Sequence, residues 1–337
     1  VNEIQTCIDF LKAIFIALHN ATHAMPVTEG SMTEDFYLKL LQEYVDQGGG
    51  ERTGIWWDES RIPLSSIDKS VSQLLDLTGK KAVVTGGAGA NLGQACVNRL
   101  AGLGADVAVV DLKPAVAAAS GQQRWATPPD AHGVAAKAAK RWGTNVIGVE
   151  GNALEWDGID AILRECNDRL GGFDILVNNA TMTSVGDFAS MSHDQLDNAI
   201  RGTLAGPIYA TRLALEYMLP QGSGRIINIC SAAGETAMPG LTMYGAMKQG
   251  LSTFTRFLGK EVGRAGVHVN GVAPGSMWGP DRTPPVDGIS GLYPRSRTAI
   301  QRYELPEEVA NMVAFLASDA ASAMTGVMVD MSGGQTI

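Results

Sequence analysis

The sequence predicts an α/β fold: a parallel, doubly wound sheet of seven strands with helices on both faces. Three observations lead there. From Lys80 onward, short apolar runs alternate with helical stretches, the order expected of a parallel sheet, whose neighbouring strands need crossover connections. Several of the runs lack polar alternation, as strands covered on both faces do. The 40 glycines cluster at strand-to-helix junctions after residue 84, where backbone takes positive φ or lies close to a ligand.

Taken in chain order, residues 1–76 read as a mainly helical N-terminal extension and residues 77–337 as the sheet domain. Ile4, Ile8, Leu11, Phe15 and Leu18 recur at spacings of four and three, one seam of an amphipathic helix. The apolar stretch at 13–18 is far shorter than a membrane span, and Asp9, Lys12 and His19 flank it. Ser31 and Glu34 have capping-box spacing and open a second helix that Gly48-Gly49-Gly50 closes, and Trp56-Trp57 follows in a loop. These apolar faces are expected to dock on the body or on another subunit, with a substrate lid as the alternative.

In the sheet domain, strands are predicted at 81–85, 106–111, 145–150, 174–178, 225–230, 267–272 and 326–330. Helices fall near 91–103, 131–142, 157–170, 194–218, 242–263 and 306–317. The Ala-, Pro- and Gly-rich stretch 115–130 reads as an insertion, and 276–303 as a long loop after the sixth strand. Loops at strand carboxyl ends are where such sheets bind ligands.

Composition narrows the function. With 26 Lys and Arg against 35 Asp and Glu, the net charge is −9, and no basic stripe offsets it, which argues against a nucleic-acid partner. Cys7, Cys96, Cys166 and Cys230 lie far apart, without the spacing of a metal site or a disulfide framework. No metal, no membrane association and a reducing, cytoplasmic location are expected.

Two constellations carry chemistry. In the first, the strand ending at Thr85 runs into Gly86-Gly87-Ala88-Gly89-Ala90-Asn91-Leu92-Gly93 and then a helix, aiming backbone N–H groups and the positive helix end at a pyrophosphate. Asp111 ends the next strand, where an acid holds a ribose 2′-hydroxyl and repels a 2′-phosphate, favouring NAD over NADP; the alternative for Asp111 is a turn or helix cap. The second is Ser231, Tyr244 and Lys248. Tyr244 and Lys248 share a helix face four residues apart, and a neighbouring ammonium favours the phenolate form that a proton-transfer tyrosine needs. Ser231 closes the fifth strand at the crevice edge. Seen singly, a capping serine and a surface Tyr–Lys pair would be the simpler readings.

Together with Asn178-Asn179-Ala180, Pro274-Gly275, Pro306-Glu307-Glu308-Val309, the 315–319 segment and Gly333-Gly334, these residues resemble the short-chain dehydrogenase/reductase family over about residues 77–337. The resemblance implies a Rossmann-type sheet, a nicotinamide cofactor and a homotetramer or homodimer. It implies that Tyr244 exchanges a proton with the substrate oxygen, that Lys248 supports Tyr244 and holds the nicotinamide ribose, and that Ser231 hydrogen-bonds the reacting oxygen. Cofactor contacts are implied for Gly86, Gly89, Asn91, Leu92, Gly93, Asp111, Leu112, Asn152, Ala153, Asn179, Ala180, Tyr244, Lys248, Pro274, Gly275 and Met277, with Asn178 also lining the cofactor.

The sequence also departs from the family pattern. The glycine turn is one residue longer, with Asn91 at the middle glycine and expected to take the left-handed conformation. Thr203 stands where the family carries a proton-relay asparagine, and Thr181 and Gly279 replace the usual glycine and threonine. Met182, Met238, Met243, Met277 and Trp278 are candidates for an apolar substrate pocket or for core packing. Arg282, Arg295 and Arg297 are candidates for an anion clamp or for solvated loop charges. The leading expectation is an NAD-dependent oxidoreductase interconverting a secondary alcohol and a ketone. The alternatives are a weakly catalytic NAD-binding scaffold, and an NAD-using epimerase, which the 306–309 and 333–334 segments disfavour.

Overall fold

The computed structural model describes residues 63–119, 128–182, 185–278 and 297–337. The chain divides into two units, Val1–Ile67 and Asp68–Ile337. The N-terminal helices expected before residue 50, Trp56-Trp57, Gly279, Arg282 and Arg295 lie outside the described residues.

The second unit opens with a single helical turn, α1 (Val71–Leu74), started by a Ser70–Gln73 capping box. Then follow β1 (Lys81–Thr85), α2 (Leu92–Gly102), β2 (Asp106–Asp111), α3 (Pro114–Ala119), α4 (Ala131–Trp142), β3 (Val146–Glu150) and α5 (Trp156–Leu170). The second half comprises β4 (Ile175–Asn178), α6 (His193–Ile200), α7 (Gly206–Gln221), β5 (Gly224–Ile229), α8 (Thr242–Val262), β6 (Val267–Pro274), α9 (Pro306–Ala317) and β7 (Met328–Met331).

All seven strands lie in one sheet of order β3-β2-β1-β4-β5-β6-β7, and every pairing is parallel. The winding direction reverses between β1 and β4. A crevice opens there at the strand carboxyl ends, the ligand-binding place of such sheets. Strand alternation divides the core into two layers. Val84, Val109, Val177 and Ile227 pack on one face with α2, α4 and α9. Val83, Val110, Leu176 and Ile226 pack on the other with α5 and α7.

Local signals explain where the helices stop and start. The Asp130 carboxylate accepts the Gly133 N–H at 2.8 Å to open α4, and Gly143, left-handed at φ 73°, closes it through a bond to the Ala139 carbonyl. Ser192 and Gln195 form a capping box at the start of α6. Pro306 occupies the first turn of α9, with Glu307 and Glu308 behind it at the positive helix end.

Two segments differ from expectation. The stretch read as an insertion begins with a helix, α3, because its Ala-rich start follows Pro114, a residue preset for a first helical turn. The helix expected across 194–218 is instead α6, a π-helical turn at Arg201–Ala205, and α7. Gly202 and Gly206 sit in and beside that turn, and a Cβ at Gly202 would overlap the Met182 side chain. The irregular turn thus lies against the segment that follows β4.

Candidate active site

The glycine turn after β1 is held from β4. Thr85 Oγ1 accepts the N–H groups of Asn179 at 3.1 Å and Ala180 at 3.2 Å, and donates to the Val177 carbonyl. Asn179 returns two bonds from Nδ2, to the carbonyls of Thr85 at 3.1 Å and Gly86 at 2.9 Å. Gly86 is left-handed at φ 64°. A Cβ at Gly93 would overlap the Gly86 carbonyl oxygen, so the first turn of α2 approaches the loop closer than any side chain permits. Asn91 is not left-handed: it takes φ −120° as the residue before α2, so the longer turn closes without a second positive φ at that point.

Asp111 closes the turn from the β2 side. Its carboxylate accepts the Ala88 N–H at 3.0 Å and the Leu112 N–H at 2.9 Å. Burial raises its pKa above the ordinary carboxylate value, and bonds from the Leu112, Ala88 and Gly89 N–H groups pull it back down.

At the other end of the crevice, β5 delivers Ser231 and α8 delivers Tyr244 and Lys248. Lys248 is 2% exposed. Its Nζ donates to the Ile229 carbonyl at 2.6 Å and stands 5.7 Å from the Tyr244 ring centroid. Ser231 Oγ accepts the Ala233 N–H at 3.2 Å.

Both ends belong to one cavity of about 520 Å³. Ser231, Tyr244 and Lys248 line it, and so does every residue assigned above to the cofactor except Asn178. Asn178 is buried in the sheet instead, donating to Thr211 Oγ1 at 2.9 Å and Asn228 Oδ1 at 2.8 Å. Asn228 passes the chain on to Thr255 at 2.8 Å, so this asparagine ties β4 to β5, α7 and α8. Asn152 lines the cavity but spends its Oδ1 on the Leu154 N–H at 3.1 Å.

Thr203 does not line the cavity that Ser231, Tyr244 and Lys248 share. It is fully buried, outside the cavity wall, and its hydroxyl donates to the Met182 carbonyl at 2.6 Å with Thr181 Oγ1 at 3.3 Å. The shorter side chain is satisfied within the π-helical turn and the segment after β4. Among the methionines, Met182, Met238 and Met277 line the cavity, whereas Met243 and Trp278 do not. Sequence reasoning missed Tyr303 and Gln335, which reach the cavity from the C-terminal segment. Gln335 Nε2 lies 3.7 Å from Met238 Sδ, a contact across 97 residues that no local pattern encodes.

The residues suit a nicotinamide cofactor. The cradle at Gly86 and Gly93 admits no Cβ, and Asn91 Oδ1, on the cavity wall, is buried with no hydrogen-bond partner, an acceptor whose burial costs free energy until it is satisfied. Among the described residues, no cluster of His, Cys, Asp and Glu is arranged to hold a metal ion. Likewise, no helix there is long and apolar enough to cross a membrane. Cys96, Cys166 and Cys230 are free and buried.

A family model described as enoyl-(acyl carrier protein) reductase matches residues 87–336. A 3-oxoacyl-[acyl-carrier-protein] reductase FabG of Aquifex aeolicus is 34% identical over 260 residues, 77% of this chain and 98% of that protein. The 4-formylbenzenesulfonate dehydrogenase TsaC1/TsaC2 of Comamonas testosteroni is 34% identical over 272 residues, 78% of this chain and all of that one. A short-chain dehydrogenase of Burkholderia cenocepacia, solved in complex with NADP, superposes with a TM-score of 0.66 at 30% identity, covering 77% of this chain and 99% of its own. With the seven-stranded parallel sheet and the crevice at its switch point, these matches establish that the chain belongs to the short-chain dehydrogenase/reductase family of oxidoreductases.

Proposed function

We propose that the protein is an NAD-dependent oxidoreductase that interconverts a secondary alcohol and a ketone, with Tyr244 as the acid/base. The observation that carries this reading is the single cavity joining Asp111 and the glycine turn to Ser231, Tyr244 and Lys248. When bound, the nicotinamide supplies or accepts the hydride. The chain's own residues manage the oxygen. In reduction, Tyr244 gives its phenolic proton to the substrate oxygen as hydride reaches the carbon. Ser231 hydrogen-bonds the same oxygen as negative charge develops there. Lys248, fixed by the Ile229 carbonyl, sets a positive charge beside Tyr244 that stabilises the phenolate formed on donation. Oxidation runs these steps in reverse.

NAD rather than NADP is supported by the carboxylate at the end of β2. Asp111 lines the cavity and repels a 2′-phosphate while it accepts from ribose hydroxyls. The Burkholderia neighbour was solved with NADP, so cofactor choice is the point to test. Met182, Met238 and Met277 on the cavity wall favour a substrate with an apolar body. We further assign the protein to the cytoplasm, as a homodimer or homotetramer.

Thermal unfolding with NAD, NADH, NADP or no nucleotide tests the reading. A ligand at 100 times its Kd adds about 2.7 kcal/mol, a rise of several degrees in Tm for a chain of this size. A rise with NAD(H) alone is expected. A rise with NADP alone would reverse the cofactor assignment, and none with any nucleotide would overturn the cofactor reading.

A further inference from the structure

Glu304 is a carboxylic acid where the fold has little use for a charge. It precedes α9 and is 3% exposed. Its Oε2 accepts the Gly275 N–H at 3.1 Å. Its own N–H donates to the Ser276 carbonyl at 3.0 Å, and its carbonyl accepts the Trp278 N–H at 2.8 Å. Met277 and Glu304 pair as an isolated parallel bridge. One residue therefore fastens the segment Gly275-Ser276-Met277, and all three of those residues line the cavity.

The other carboxyl oxygen, Oε1, is buried with no hydrogen-bond partner. It lies close against Gly275, where an added Cβ would come within 2.7 Å of it. The charged groups around it give little relief. Asp330 on β7 and Glu308 on α9 repel the carboxylate, and the nearby Arg302 forks onto Glu308 with two bonds of 2.7 Å. Burial, reinforced by Asp330 and Glu308, holds Glu304 up to about 7 in spite of the Gly275 bond and Arg302. An amide could accept the same N–H without the cost of a buried charge.

We propose that Glu304 is a positioning residue for cofactor binding, whose carboxylate anchors Gly275 and so sets the Pro274–Met277 wall of the cavity. This rests on the reading that the cavity takes a nicotinamide nucleotide. A carboxylate makes a stronger, charge-assisted bond to the Gly275 N–H than the protonated acid does. Cofactor affinity therefore rises as pH increases through the neutral range.

The test compares wild type, Glu304→Gln and Glu304→Ala by fluorescence titration with NADH and NADPH between about pH 5.5 and 8.5, the range in which a buried carboxyl of this kind exchanges its proton. The Gly275 amide resonance is followed in protein labelled with ¹⁵N-glycine and free of nucleotide. Wild-type Kd is expected to fall severalfold toward high pH, and the Gly275 amide to titrate over the same range. Glu304→Gln should flatten both dependences, and Glu304→Ala should weaken binding severalfold at both ends. A Gly275 amide indifferent to pH, a Glu304→Gln variant that keeps the wild-type pH dependence, or a Glu304→Ala variant that binds like wild type would each overturn the inference. Wild-type protein that binds neither nucleotide would overturn the cofactor reading and this inference with it, whereas wild-type binding that ignores Glu304 overturns the inference alone.

Discussion

The ammonium of Lys248 is tethered to the carbonyl of Ile229 at 2.6 Å, so the last residue of β5 fixes the lysine that stands beside Tyr244. Strand and helix are thereby joined at the residue before Cys230-Ser231. Lys248→Met keeps the apolar stem but leaves a buried carbonyl without its donor. Turnover should fall about 100-fold or more, the scale of a lost acid–base partner. Unfolding should show a loss of about 1–3 kcal/mol from the orphaned carbonyl. Steady-state kinetics and urea unfolding of the one variant measure both.

The glycine cradle makes a steric prediction. A Cβ at Gly93 would overlap the Gly86 carbonyl oxygen. In Gly93→Ala, either α2 or the turn has to move. Affinity for NADH should drop tenfold or more, although alanine is the better helix former by about 1 kcal/mol. Fluorescence titration, alongside circular dichroism to show that the helices persist, checks it.

Asp111 is both a turn acceptor and the proposed selector of cofactor. Asp111→Ala removes the acceptor of the Ala88 and Leu112 N–H groups and the charge that disfavours a 2′-phosphate. NAD affinity should fall and the NAD-to-NADP preference should shrink by about tenfold, the effect of roughly 1.4 kcal/mol. Calorimetric titration with both nucleotides reads the ratio.

Glu304 makes stability depend on pH with a definite sign. Its pKa is raised from 4.5 to about 7 in the folded protein, so the native state binds the proton more tightly than the unfolded chain does. The resulting stability is fully present below about 4.5 and is lost as pH rises through about 7. Glu304→Gln should therefore match wild type near pH 4 and exceed it at pH 8. A tenfold change in proton affinity is worth about 1.4 kcal/mol, so the gain is on the order of 1–3 kcal/mol. Urea midpoints at the two pH values measure it.

The frame of this protein is legible in its sequence because apolar runs and glycine turns are local signals. The run at 81–85 becomes β1, and the glycines after it become a turn too tight for side chains. Tyr244 and Lys248 are visible as a pair because a helix turns residues four apart onto one face. The rest depends on long-range packing. Asn178 reads as a cofactor contact until Thr211 and Asn228 are brought beside it, 33 and 50 residues away. Thr203 reads as a relay position, but its bond to the Met182 carbonyl, made within the π-helical turn, has no local signature in the sequence. Glu304 does not stand out in the sequence, since nothing near it reveals that Gly275 lies 29 residues off at hydrogen-bond distance.

The reading of the site rests on Tyr244 as the proton donor and acceptor, and Tyr244→Phe, which deletes one oxygen, addresses it most directly. Wild type and variant would be followed by nicotinamide absorbance with NAD(H) across a panel of secondary alcohols and ketones, with NADH affinity measured in parallel. Turnover reduced by about three orders of magnitude or more with NADH still bound is the expected result, within the range that positioned acid–base groups contribute. Retained turnover in the phenylalanine variant would contradict the assignment and move the proton transfer to another group on the cavity wall.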